Sequence, residues 1–84
     1  MNIYEIIEVR SYAGFRSEES PRSFIFRDRE YIVTEIIDRW YEGGVIPNQT
    51  VYNYFKVETE SGDEFILRYN AKRDVWAICL SIES

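Results

Sequence analysis

The chain offers few of the side chains that carry out covalent catalysis. It contains no histidine and a single cysteine, Cys79, which excludes the serine–histidine and cysteine–histidine pairs that activate a nucleophile. One thiol cannot form an intramolecular disulfide or build a zinc site. We therefore expect no catalytic residues, no metal and no cofactor. Cys79 lies between Ile78 and Leu80, a setting typical of a small buried apolar residue.

Two carboxylates, Glu35 and Asp38, lie within an otherwise apolar segment. Burial there would disfavour their charged forms, so one interpretation makes them site carboxylates. The other interpretation is structural: a strand carboxylate at a β-bulge, paired with Arg39 or Arg68. Because nothing in the sequence indicates a substrate for them, an enzyme that acts through carboxylates ranks third among the functions considered below.

Arginine and aromatic side chains are the second group of residues that could carry a function, in this case binding. The chain has eight arginines and only two lysines, and 17% of its residues are aromatic. The planar guanidinium group stacks on rings and pairs with carboxylate or phosphate. The candidate binding surface combines both residue types: Arg22, Arg27, Arg39, Trp40, Tyr41, Tyr52 and Tyr54.

The tyrosines of this surface alternate with apolar residues along one segment. Tyr52 and Tyr54 share a face, and Phe55 and Val57 occupy the opposite face. If Phe55 and Val57 belong to the core, the tyrosines lie outside, where rings stack on a base, a proline or another subunit. The alternative is that both tyrosines and Trp40 cover a second small core under the loop at 43–50.

Charge limits the classes of partner. The net charge is −5 and the pI about 4.7, which disfavours non-specific binding to DNA and to anionic membranes. No apolar run approaches the roughly 20 residues of a membrane span, and the first residues lack the basic region of a signal peptide. We expect a cytoplasmic protein that does not bind membranes.

Alternation with period two predicts about six strands in one domain covering 1–84. The interval 31–42 is too long to keep one face apolar, so a bulge or bend near 35–38 is predicted to exchange the faces. Polar turns are predicted at 28–30, 61–63 and 70–74. The predicted strands cover residues 3–9, 22–27, 31–42, 51–60, 64–71 and 75–82.

Short connections between these strands predict an all-β, mainly antiparallel domain. A small, strongly bent barrel or half-barrel, SH3-like, would hide the sheet edges that a small β-protein must protect. The alternative is a two-layer roll that contains at most one short helix, at 12–20 or at 33–41.

The segments PRSFIFRDREYIVTEIIDRWYEGG and YFKVETESGDEFILRYNAKRDVWAICL resemble a family of small bacterial domains of unknown function. Some similar domains occur alongside translesion-polymerase-like DNA repair proteins, and this association implies a nucleic-acid hypothesis. The resemblance implies no catalytic activity. The residues that carry it are Pro21, Arg22, Phe24, Trp40, Phe55, Val57, Thr59, Leu67, Arg68, Tyr69 and Trp76.

The sequence therefore supports two main functions. The first is a non-enzymatic interaction module that binds a protein partner or itself through the aromatic and arginine surface. The second is a nucleic-acid-binding domain associated with DNA repair or replication. The net charge opposes the second, whereas the five arginines between Arg10 and Arg29, against three carboxylates there, favour it locally.

Overall fold

The computed structural model describes residues 2–11, 20–44 and 46–81. Each strand in it pairs antiparallel with the next, and the first also pairs with the last, which closes a six-stranded barrel. This confirms the predicted all-β barrel, and the described residues contain no helix. The strands are β1 (Asn2–Ser11), β2 (Pro21–Phe26), β3 (Arg29–Glu42), β4 (Tyr52–Thr59), β5 (Glu64–Asn70) and β6 (Val75–Ser81).

Closure of the sheet overturns the two-layer alternative. Of its two candidate helices, the one at 33–41 is wrong because those residues belong to β3. The other, at 12–20, lies almost entirely outside the described residues. The β-branched side chains that crowd β3 suit a pleated strand better than a helix, where they lose rotamer freedom.

The core fills the barrel interior with residues that alternate along β4, β5 and β6. The side chains of Phe55, Val57, Leu67 and Ile78 are at most 1% exposed. Burying one such side chain contributes roughly 1.5–3 kcal/mol. Because the chain is short and has no disulfide, this interior and its aromatic contacts provide most of the stabilisation available to it.

Two β-bulges in β3 decide which of its side chains face inward. The register with β4 shifts between Val33 and Glu35 and again between Ile36 and Asp38, which confirms the bulge predicted near 35–38. Each bulge adds one residue. The carboxylates of Glu35 and Asp38 are exposed, so the burial on which their interpretation as site carboxylates depends does not occur. The Oδ1 of Asp38 instead accepts the backbone N–H of Arg39 at 2.8 Å.

The turn between β2 and β3 consists of Arg27 and Asp28, whose φ angles are 52° and 64°. Phe26 pairs directly with Arg29, so the turn begins one residue earlier than predicted and Glu30 belongs to β3. Positive φ at both central residues is the geometry of a type I′ hairpin turn, which usually signals itself with asparagine or glycine. Neither asparagine nor glycine occurs at Arg27 or Asp28, which explains why the predicted turn was displaced by one residue.

The two later hairpins form within one residue of their predicted positions. Gly62 has a φ of 87° and donates its N–H to the carbonyl of Thr59 at 2.8 Å, which closes the turn between β4 and β5. In the next turn, Asn70 Oδ1 accepts the backbone N–H groups of Lys72 and Arg73 at 3.1 and 3.2 Å. These turns fix the register of the three strands that carry the site described next.

Candidate binding site

Strand alternation divides the predicted binding surface between the two faces of the barrel wall. Trp40 pairs with Tyr54 across β3 and β4, and Glu42 pairs with Tyr52. All four side chains therefore lie on the outer face. The rings of Trp40 and Tyr54 are stacked, with centroids 5.3 Å apart and planes 4° from parallel.

Two residues from other strands join this outer group. Arg68 on β5 lies directly opposite Tyr54. Its guanidinium carbon lies 3.6 Å from the ring centroid of Tyr4 on β1 and 4.1 Å from that of Tyr52. The cation is thus held between two tyrosine rings, a geometry in which both ring faces attract it. We call this group the Arg68 cluster: Tyr4, Trp40, Glu42, Tyr52, Tyr54 and Arg68.

Tyr54 is the buried centre of the Arg68 cluster, with 5% of its surface exposed. Its hydroxyl donates to Glu42 Oε1 at 2.9 Å. The hydroxyl of Tyr4 lies 3.5 Å away and must be the donor in that pair, because the single proton of Tyr54 is directed to Glu42. Burial raises the pKa of Tyr54 above its ordinary value, the hydrogen bonds with Tyr4 and Glu42 raise it further, and Arg68 acts in the opposite direction. Tyr54 is therefore neutral, and its hydrogen bonds link β4 to β3 and β1.

Beside the cluster lies a shallow pocket of about 260 Å³, which we call the Arg68 pocket. The small side chain of Ala77, only 6% exposed, leaves room for it between β5 and β1. Its wall includes Ile6, whose side chain is 76% exposed, the highest value among the large apolar residues described. The pocket is lined by Tyr4, Ile6, Tyr52, Arg68, Asn70, Arg73, Val75 and Ala77.

Charges around the pocket are unbalanced. Within the described residues, ion pairs join Arg27 to Glu5 and Lys56 to Glu64. Neither Arg68 nor Arg73 has a carboxylate partner within that part of the chain. The arrangement therefore offers two cationic forks beside aromatic rings and aliphatic carbon, which can bind an anionic group that carries an apolar neighbour.

The remaining predicted site residues lie elsewhere. Arg39 and Tyr41 alternate with Trp40, so they lie on the opposite face of β3, where the guanidinium carbon of Arg39 lies 4.9 Å from the Phe55 ring centroid. Arg39 Nε is buried without a hydrogen-bond partner in the residues described. The pairing of Glu35 or Asp38 with Arg39 or Arg68 is not among the ion pairs of the described chain.

Arg22 and Arg27 belong to β2 and the turn that follows it. Strand β2 is separated from β4 by β3 in the barrel. The Arg27 guanidinium lies over the ring of Phe26 at 4.8 Å and pairs with Glu5 at 3.8 Å, and Arg22 is exposed. The structure thus brings together three of the seven predicted residues, Trp40, Tyr52 and Tyr54.

The sequence left open whether Tyr52, Tyr54 and Trp40 form an exposed surface or a second small core, and the structure has features of both. Tyr54 is buried, while Trp40 and Tyr52 are half-buried. The groups that cover Tyr54 come from strands: Tyr4, Trp40 and Glu42. The outer wall is therefore a small packed layer with an exposed rim, and Tyr54 cannot be a direct contact for a partner.

Sequence reasoning missed Tyr4, Glu42, Arg68 and Arg73 as parts of the site. Arg68 was only partly within reach: counting back from the predicted turn at 61–63 places Asn70 opposite Tyr54, on the same face as the observed partner Arg68 but two residues away from it. Tyr4 was not, because its approach depends on the pairing of β1 with β6, the most distant strands in the chain.

Cys79 is half-buried on the outer face of β6, rather than fully buried as its sequence setting suggested. In the described ranges, no group of three or more potential ligand residues could hold a metal ion. The same part of the chain contains no helix with the length and hydropathy needed to cross a bilayer.

Comparison with known proteins places the chain in a family. The model of a domain of unknown function, DUF6504, matches residues 1–80, which is nearly the whole chain. Comparison with curated proteins and with solved structures finds no match. The chain therefore belongs to the DUF6504 family of domains of unknown function.

Proposed function

We propose that this domain is a non-enzymatic interaction module that binds a protein partner, or a second copy of itself, through the outer wall built around Arg68. The observation that carries the proposal is the guanidinium of Arg68, which has no carboxylate partner among the described residues and is fixed between the rings of Tyr4 and Tyr52 at the edge of a pocket. Arginine and tyrosine are the residue types that most often dominate binding energy at protein interfaces.

A purely stabilising role for the Arg68 cluster accounts for only part of its structure. Tyr54 and its hydrogen bonds fit such a role. Ile6 and Arg73 do not fit it: both are exposed, and Arg73 forms no ion pair within the part of the chain that the structure describes. An exposed aliphatic side chain next to unneutralised cations is a surface suited to a partner.

The proposal is tested with two tyrosine variants. Tyr52→Ser removes a ring of the Arg68 pocket, while Tyr41→Ser removes an exposed ring on the other face of β3 and serves as the matched control. Tyr54 is unsuitable, since its loss would destabilise the fold. Self-association is measured by sedimentation velocity over a range of concentrations. A partner retained from lysate is purified, and its Kd is measured with each variant.

We expect Tyr52→Ser to weaken whichever association is found by about tenfold or more, since aromatic hot-spot truncations cost about 2 kcal/mol or more. Tyr41→Ser should change the Kd by less than about twofold. Equal effects of the two variants, with both proteins folded, would refute the assignment of this surface.

Nucleic-acid binding is the alternative function. Arginine and tyrosine also suit phosphates and stacked bases, and the resemblance to domains found beside repair proteins supports it. The net charge of −5 opposes it. Fluorescence titration with a mixed single-stranded oligonucleotide at two salt concentrations tests it, because Trp40 lies in the cluster. Quenching that weakens steeply with salt would favour nucleic acid over a protein partner.

Three finer predictions accompany the proposal: a cytoplasmic location, a bacterial origin and an SH3-like variety of barrel. The proposed binding does not depend on them. It depends on the arginine, aromatic and aliphatic side chains of the outer wall, which could bind a partner protein or a second copy of the chain.

A further inference from the structure

We propose that the Arg68 pocket receives the C-terminal residue of a partner chain, with its carboxylate at Arg68 and Arg73 and an aliphatic side chain against Ile6 and Val75. This inference rests on the proposed function and names the chemistry of the partner. Three properties of the pocket lead to it: two arginines without a carboxylate partner in the described ranges, aliphatic walls and a small volume.

The cations define the charge of the ligand. The guanidinium group of Arg68 is half-buried, fixed by two rings at 3.6 and 4.1 Å, and has no ion pair with the described residues. A fork that is already oriented loses little rotamer entropy when it binds a planar carboxylate with two hydrogen bonds. Arg73 lies in the adjacent turn, where the hydrogen bond from its backbone N–H to Asn70 at 3.2 Å holds the backbone.

The aliphatic wall defines the neighbour of that charge. Ile6, Val75 and Ala77 line the side of the pocket that adjoins β1 and β6. A sugar–phosphate backbone would leave this wall without apolar contact, whereas a leucine, isoleucine or valine side chain would cover it. The pocket therefore favours a peptide carboxylate over a nucleic-acid phosphate.

Size and net charge narrow the ligand to a chain end. A volume of about 260 Å³ lies just below the roughly 300–1,000 Å³ of pockets for drug-sized molecules, which leaves room for about one residue. A C-terminal aliphatic residue presents carboxylate and apolar side chain on one Cα atom. An internal aspartate or glutamate needs a second residue for the apolar group, and a run of acids would be repelled by the net charge of −5.

The test compares a peptide acid with its amide. Acetyl-Ala-Ala-Ala-Leu with a free carboxylate is titrated into ¹⁵N-labelled protein, and the backbone amide signals of Ile6 and Ala77 are followed. The matched peptide ends in a carboxamide, which keeps the side chain and removes the charge. We expect saturable shifts with the acid and binding at least about tenfold weaker with the amide, as expected for a lost charge-assisted contact.

Arginine variants locate the carboxylate. Arg73→Gln should weaken binding of the acid about tenfold. Arg29→Gln is the matched control, because Arg29 is an exposed arginine like Arg73 but does not line the pocket and lies instead over the ring of Tyr31 at 5.0 Å. It should leave the affinity unchanged.

Each contrary outcome has a separate meaning. Equal binding of acid and amide would overturn the carboxylate assignment. No binding of either peptide, while a protein partner still depends on Tyr52, would overturn this inference and leave the proposed function standing. Displacement of the bound acid by an oligonucleotide, with steep salt dependence, would assign the pocket to phosphate and overturn both.

Discussion

Removing the hydroxyl of Tyr54 should destabilise the barrel without changing its fold. Tyr54→Phe keeps the ring that stacks on Trp40 and deletes the 2.9 Å hydrogen bond to Glu42. Hydrogen bonds to charged groups contribute about 1.5–3 kcal/mol. The side chain of Glu42 is exposed and regains water when the bond is lost, so we expect the lower end, about 1.5 kcal/mol. For a domain of this size that corresponds to a fall in Tm of about 6–12 °C.

The assay is equilibrium urea unfolding followed by circular dichroism, with Tyr52→Phe as the control. The ring of Tyr52 lies against Arg68, while no hydrogen bond of its hydroxyl is found within the described residues. Its loss should change the unfolding free energy by less than about 0.5 kcal/mol. The urea m-value should stay the same in both variants. Equal effects of the two variants would refute the argument that the buried hydroxyl stabilises the outer wall.

Three further predictions concern pH and backbone geometry. Because the pKa of Tyr54 is raised in the folded state, the stability it provides is complete below the ordinary tyrosine pKa of about 10 and is lost as pH rises further. The unfolding free energies of wild type and Tyr54→Phe should therefore converge above pH 10, by at most about 1.4 kcal/mol per pH unit in urea titrations. Gly43→Ala should cost about 3 kcal/mol, since φ is +95° and a Cβ would overlap the carbonyl oxygen of Thr50. Gly62→Ala, with φ of +87° and open space around it, should cost only about 1 kcal/mol in the same assay. Asp28→Gly should raise Tm by a few degrees, because Asp28 has a φ of 64° in a tight turn that glycine adopts without strain.

Most of the fold was predictable because each strand shows its own alternation of apolar and polar residues over a short stretch of sequence. Alternation along β4, β5 and β6 and the turn signal at Gly62 fixed three neighbouring strands. The length of β3 revealed its bulges, since no continuous register would have kept one face apolar. The turn at Arg27 and Asp28 was displaced by one residue because its backbone geometry has no sequence signal there. The exposure of Glu35 and Asp38 was left open, because the position of each bulge decides which side of the wall they occupy.

The site was less predictable than the fold because it is formed by register. Choosing arginine and aromatic residues by type placed Trp40 and Tyr41 in one surface, although adjacent residues of a strand face opposite sides. Arg68 required the register of the β4–β5 hairpin, which its turn determines. Tyr4 required closure of the barrel, a contact between the first and last strands for which no short-range pattern exists.

Under the proposed function, the outer wall around Arg68 has both a stabilising role and a binding role, and the two roles fall on different side chains. Tyr54 and Trp40 stack on each other in the outer wall, and changes to them should lower the free energy of unfolding. Ile6 and Arg73 lie at the rim, and changes to them should appear in binding alone. Arg68 contributes to both roles, because the tyrosine ring faces hold its guanidinium group in place but do not neutralise its charge. Its charge therefore stays available to an anion while its position is already determined, which is the condition under which a small, marginally stable domain can bind without refolding.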